Sequence, residues 1–167
     1  MVRPTDIALV RHGMYDHMSG HLTDEGILQA DKAAVRLVEG YRFWGAVILT
    51  SPALRAEETT DRIAAKVGEG EGTVVFSHPA LQIAGEHPES MRNLKWLAQA
   101  VIETSDPLPG YDGRVVIVTH LPLIARIMNL EDVEYGGIHF YEGDGYNPVY
   151  SSEFEAPLLG ALGQPLN

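Results

Sequence analysis

The chain contains no cysteine among its 167 residues. Disulfides, thiolate metal sites and thiol nucleophiles, including that of a cysteine-based phosphatase, are therefore excluded. Basic residues are scarce: 12 Lys and Arg stand against 23 Asp and Glu, giving a formal net charge of −11. Such a chain repels a phosphate backbone as a whole, which argues against nucleic acid as a partner. An anionic substrate needs a local cationic pocket of its own. Long apolar runs are missing too. None approaches the ~20 residues of a membrane span, and the first begins near Asp6, which leaves no room for a signal peptide. The expected setting is soluble, reducing and cytoplasmic, with no membrane partner.

What is present suits a packed core, with 45% hydrophobic and 21% charged residues. The length fits one domain of roughly 100–200 residues. A single domain over 1–167 is expected, with a core over roughly 5–155 and a tail over 156–167. Strand-like and helix-like segments alternate. Ile7-Ala8-Leu9-Val10, Ala46-Val47-Ile48-Leu49-Thr50 and Val115-Val116-Ile117-Val118-Thr119 are short apolar runs of the kind buried on both faces. Thr73 to Ser77 is a further strand candidate. Over 23–40 the apolar residues recur at helical spacing, with Thr23 as N-cap, Asp24 and Glu25 at the positive end of the helix dipole, and Gly40 as the stop. Ser51-Pro52 reads as an N-cap followed by proline in the first turn of a helix reaching about Val67. A helix is expected after Pro88 and another from Leu121 to Asn129. Ile138-His139-Phe140-Tyr141 and the stretch from Val149 to Phe154 flank turn chemistry and suggest a β-hairpin at a sheet edge.

Alternating strands and helices imply an α/β fold: a three-layer α/β/α sandwich around a mostly parallel sheet. Ligands of such sheets sit at the carboxyl ends of the strands. Arg11-His12-Gly13 follows the first strand, Arg55 lies in the first turn after the second, and His120 closes the strand before it. Two arginines and two histidines, distant in sequence, are thus delivered to one sheet edge. Arginine offers a planar fork of donors that matches phosphate oxygens and stays charged. A neutral imidazole is a competent nucleophile at phosphorus.

Leu9-Val10-Arg11-His12-Gly13, Leu22-Thr23 with Gly26 and Gln29-Ala30, Ser51-Pro52 with Arg55-Ala56 and Thr59, and Val118-Thr119-His120 occur in that order. In them the chain resembles the histidine phosphatase (phosphoglycerate-mutase-like) superfamily, over roughly its first 130 residues. The short length and the Ser51 to Thr59 stretch are most similar to the short bacterial phosphohistidine phosphatases. Arg11 to Asp16 with Glu58-Thr59-Thr60 also echoes the branch acting on phospho-Ser/Thr proteins. The resemblance implies a phosphatase acting on a phosphomonoester or phosphoprotein through a phosphohistidine on His12. It implies a phosphate pocket of Arg11, Arg55 and His120, with no metal and no organic cofactor. Many members carry a glutamate general acid just after a leucine that follows the third strand. Here that segment reads Leu81-Gln82-Ile83-Ala84-Gly85-Glu86-His87, so Gln82 stands in the acid's place and Glu86 is the candidate acid. Gly13, Tyr15, His17, His21, Gln82 and Leu121 are candidate substrate-binding residues.

A protonated His120 is expected to hold charge on the transferring oxygens, and a backbone carbonyl to hold the other N–H of His12. Three alternatives stand beside this reading. One is a catalytically silent phosphate-binding or scaffold protein of the same fold, and another a mutase-type phosphotransferase. The third is a metal-dependent hydrolase built on His12, Asp16, His17 and His21. Expected partners are a phosphorylated small molecule or phosphoprotein, inorganic phosphate as product, and a second copy of the chain through the edge hairpin.

Overall fold

Three strands carry only apolar side chains until their last position, and all three are sandwiched centrally. They are β1 (Ile7–Arg11), β2 (Val47–Thr50) and β4 (Val115–Thr119). The structure, a computed structural model, describes residues 7–69, 72–81, 114–128 and 130–140. A five-stranded sheet has the order β3-β2-β4-β1-β5, with β3 at Val75–Ser77 and β5 at Ile138–Phe140. Pairings of β1 with β4, β4 with β2 and β2 with β3 are parallel, and β5 lies antiparallel on β1.

Side-chain alternation divides the core. Ala8, Val10, Ile48, Val116 and Val118 pack with Ala33, Ala34, Leu37, Ala56, Ile63 and Val67 in one cluster. Those last six belong to α1 (Asp24–Val35, continued by a π-type turn over Arg36–Gly40) and α2 (Leu54–Val67). Leu9, Leu49 and Ile117 point to the other face and are equally buried, as are Leu123 and Ile124 of α3 (Leu121–Met128). This is the expected three-layer α/β/α arrangement, with β5 as its antiparallel edge strand.

Local chemistry sets the boundaries. Thr23 caps α1, its hydroxyl accepting from the Gly26 N–H at 3.0 Å, and Asp24 and Glu25 occupy the first turn. α2 departs from expectation. It begins at Leu54 after Ala53, which offers no side-chain cap, and Ser51-Pro52 lies ahead of it. The Ser51 hydroxyl has a stronger partner in His120. β3 begins two residues later than the expected Thr73 to Ser77 strand, and ahead of it the Thr73 hydroxyl bonds the Ala46 carbonyl at 2.5 Å. The helix expected after Pro88, the second hairpin strand over 149–154 and the tail lie outside the described residues. No helix among the described residues is long and apolar enough to cross a membrane.

Two glycines let the loop after β1 lie against α1. A Cβ on Gly13 would stand 2.4 Å from the Gly26 carbonyl oxygen, and one on Gly26 would stand 1.9 Å from the Met14 carbonyl oxygen. Two backbones cross there with no room for a methyl group. Gly26→Ala is expected to destabilise the protein by about 3 kcal/mol in urea unfolding. Gly40→Ala, with nothing within 4 Å of the added methyl, should change stability by less than about 1 kcal/mol. Equal small effects at both positions would contradict the crossing.

Candidate active site

Parallel register brings the two central histidines together. Arg11 pairs with Thr119, so His12 and His120, each the next residue, leave adjacent strands at the same level. The His12 N–H continues the ladder to the Thr119 carbonyl at 3.1 Å. The two imidazoles are 5.1 Å apart between centroids and inclined at 64°. Both are buried, at 3% and 2% exposure.

Arg55 reaches over them from the first turn of α2. Its Nε donates to His12 Nε2 at 3.3 Å and its Nη2 lies 3.4 Å from His120 Nδ1. A guanidinium only donates, so both of these ring nitrogens present lone pairs. The opposite nitrogens therefore carry the protons. His12 Nδ1 donates to the Gly13 carbonyl at 2.8 Å, and His120 Nε2 donates to Ser51 Oγ at 2.8 Å. Both tautomers are thus held by neighbours, with the free lone pairs facing one cation.

The same environment keeps the rings uncharged. Burial, with the charges of Arg55 and Arg11, pushes the His12 imidazole from 6.5 down to about 4, although the Gly13 carbonyl pulls the other way. Burial acts first on His120 as well, then His12, Arg55 and Arg11, and pushes it down to about 3. The ring in the protein alone is therefore neutral at ordinary pH, whereas the protonated His120 of the sequence reading belongs with a phosphoryl group bound beside it. A dianion beside Arg55 would oppose the cations and draw a proton back toward it.

A ring of contacts fixes the cleft. Thr59 Oγ1 accepts from the Gly13 N–H at 3.0 Å and donates to the Arg55 carbonyl at 2.8 Å, tying the loop after β1 to α2. Gln29 Oε1 accepts from the Met14 N–H at 2.8 Å. Glu58 accepts from His21 Nδ1 at 2.5 Å and from the Leu22 N–H at 2.7 Å. Tyr15 meets the His12 ring edge-on at 5.3 Å and lies 4.5 Å from the Arg55 guanidinium carbon, with His17 against its outer side at 4.5 Å. Arg11 lies on the Tyr135 ring and donates from Nη1 to the Val133 carbonyl at 2.5 Å.

The candidate residues therefore divide. His12, His120, Arg55 and Tyr15 converge in one cleft. Arg11 is held on Tyr135 beside it, and also lines a cavity of about 580 Å³ between α1 and the 132–137 segment. Both backbone groups of Gly13 are engaged within the protein, and its close approach is to Gly26. His17 borders the mouth through Tyr15, whereas His21 turns to Glu58. Leu121 opens α3, half-buried. Gln82 and Glu86 lie outside the described residues. The grouping of His12, Asp16, His17 and His21 does not form: Asp16 Oδ1 accepts from the Met18 and Ser19 N–H groups. Among the described residues no three His, Asp or Glu side chains are arranged to hold a metal ion. Sequence reasoning missed Ser51 as a partner of His120, and Tyr135. Ser-Pro before a helix signals an N-cap whether or not another group claims the hydroxyl. Tyr135 reaches the site only because β5 returns against β1.

Residues 7–82 match the model for the Histidine phosphatase superfamily (branch 1). No curated protein sequence matches the chain. Among solved structures, the chain is similar to a mycobacterial glucosyl-3-phosphoglycerate phosphatase complexed with VO3, at 20% identity over 79% of this chain and 88% of that one, with a TM-score of 0.53. A mycobacterial hydrolase aligns over 95% of this chain and 97% of its own at 20% identity and a TM-score of 0.54. The protein histidine phosphatase SixA complexed with tungstate aligns over 80% and 92% at 18% identity and a TM-score of 0.51. At these identities the likeness to solved structures is one of fold.

Two measurements check this site. The His12 and His120 rings should titrate well below 6.5 by NMR, near about 4 and about 3. Because the unfolded chain then binds more protons, stability is full above pH 6.5 and falls as the pH drops toward the folded values. Ordinary titration of both rings near 6.5, with no such loss, would contradict the description. Ser51→Ala, which leaves the His120 Nε2–H buried without its partner, should cost about 1–3 kcal/mol by thermal or urea unfolding. A neutral result would remove Ser51 from the site.

Proposed function

We propose that this chain, with the histidine phosphatase superfamily signature in residues 7–82, is a phosphatase that hydrolyses a phosphomonoester or phosphoprotein through a phosphohistidine on His12. The observation that carries the reading is the Arg55 fork spanning the lone pairs of two buried, neutral imidazoles. A cation held over two weak neutral acceptors gains more from an anion. A phosphoryl group entering the cleft takes over the donors of Arg55, and in doing so frees His12 Nε2 for attack.

Nε2 forms a bond to phosphorus as the bond to the leaving atom breaks. The Nδ1 proton stays on the ring and the Gly13 carbonyl stabilises the positive charge that develops there. Arg55 and Arg11 offset charge spreading over the equatorial oxygens, and His120 becomes their third cation as the dianion draws a proton to it. A proton goes to the leaving atom, with Glu86 as our candidate donor. Water then attacks phosphorus, passes a proton to the same carboxylate, and restores neutral His12 with release of inorganic phosphate. With Gln82 standing where many relatives carry the acid, good leaving groups are favoured, and a phosphohistidine imidazole is a better one than an unassisted alkoxide. Tetrahedral oxyanions fit this cleft, and VO3 and tungstate accompany two of the structures that share the fold. All roles are taken by side chains of the protein, so we propose metal-independent turnover of cytoplasmic phosphoproteins or small phosphates.

His12→Ala should abolish hydrolysis of an aryl phosphate, and Arg55→Ala should lower kcat/KM roughly a hundredfold or more. Vanadate should bind wild-type protein and bind Arg55→Ala far more weakly. Turnover of His12→Ala at the wild-type rate would end the proposal. Complete loss of wild-type activity in a strong chelator would instead point to a metal. Phosphate binding without turnover would favour the silent phosphate-binding reading.

A further inference from the structure

Tyr135 precedes β5 in a segment built closely around Arg11. The Gly136 N–H donates to the Arg11 carbonyl at 3.0 Å, the Arg11 N–H donates to the Gly137 carbonyl at 3.1 Å, and the Gly137 N–H closes a turn onto the Glu134 carbonyl at 2.8 Å. Gly136 takes φ +71 where a Cβ would stand 3.0 Å from the Gln29 carbonyl oxygen, so the chain bends sharply here against α1. The bend places the Tyr135 ring under the guanidinium, with the guanidinium carbon 3.7 Å from the ring centroid, and leaves the ring 5.9 Å from that of His12.

A guanidinium has five N–H donors in one plane. In Arg11 one face is covered by Tyr135, and Nη1 is bound to the Val133 carbonyl. Its buried Nε has no hydrogen-bond partner among the described residues, and no bond to Nη2 is formed among them either. A buried N–H without a partner is unfavourable. The unbonded Nε–Nη2 edge is also the edge with which arginine grips two oxygens of one oxyanion. Tyr135 and Val133 thus restrain Arg11 and leave its Nε–Nη2 edge unbonded among the described residues. Arg55 rests on Tyr15 in a parallel way at 4.5 Å, so each arginine beside His12 has an aromatic support.

We infer that Tyr135 is a positioning residue for Arg11: its ring face, and not its hydroxyl, sets the guanidinium plane in which the Nε–Nη2 edge receives the phosphoryl group. The inference rests on the phosphatase reading for its kinetic form, but its binding form does not need turnover. Tyr135→Phe keeps the face and should hold kcat/KM for an aryl phosphate within about twofold. Tyr135→Leu removes the π face and should lower kcat/KM about tenfold, in line with a partly desolvated cation–π contact. The effect should vanish in an Arg11→Ala background, where Tyr135→Leu changes kcat/KM less than twofold. Calorimetric binding of vanadate should show the same pattern.

A progressively fluorinated phenylalanine at position 135 preserves shape while weakening the π face. It should lower vanadate affinity in steps, and this holds the test open if Tyr135→Leu fails to fold. Equal losses from Tyr135→Leu with and without Arg11, or a flat fluorination series, would overturn the inference. Absence of any wild-type turnover would overturn the phosphatase reading, and the vanadate series would still decide the role of Tyr135.

Discussion

His12 and His120 share a buried edge with Arg55, and the cost of that arrangement is met by keeping both rings uncharged. Three cations crowded into one cleft would repel one another. Burial and the guanidinium push the two imidazoles down to about 4 and about 3 and so remove two of the charges. The parallel pairing of β1 with β4 is what forces the proximity, since the residues after Arg11 and Thr119 leave the sheet side by side. The described neighbours serve this trio: the Gly13 carbonyl and Ser51 hydroxyl hold the tautomers, and Thr59 ties the loop of His12 to the helix that carries Arg55. The Arg55 donors face two weak, neutral acceptors, so an anion would be a stronger partner for them.

Packing and chemistry meet at the loop after β1. Gly13 lends its carbonyl to His12 and its N–H to Thr59, while its missing side chain lets the backbone of α1 approach at Gly26. A methyl group at either glycine would push the loop away from α1 and tilt the His12 ring with it. Asp16 and Glu58 pin the next turn through backbone N–H groups at Met18, Ser19 and Leu22, which keeps Tyr15 under Arg55. Sequence neighbours of His12 thus act mainly by holding one another.

The architecture was legible where one force dominates. Strands apolar to their ends, such as Val115–Thr119, have no stable place except the middle of a sheet. The positions of His12, Arg55 and His120 followed from the rule that strand ends carry the ligand edge. Properties that depend on three-dimensional neighbours were less legible. The charge state of His120 is set by burial and by His12 and Arg55, neither adjacent to it in sequence, and the proton expected on the ring is not held in the protein alone. Ser51 offers the same hydroxyl to a helix terminus or to an imidazole, and only the closeness of β2 to β4 decides between them. Tyr135 carries no signal of its own in the sequence, and only the antiparallel return of β5 along β1 carries it under Arg11.

The central claim is that His12 attacks through Nε2 because the Gly13 carbonyl holds Nδ1. Its most direct test is rapid-quench trapping of the phosphorylated protein, followed by NMR assignment of the phosphorus to one ring nitrogen. A phosphoryl group on Nε2 of His12 is predicted. Phosphorus on Nδ1, on His120, or on no histidine at all during active turnover would contradict it.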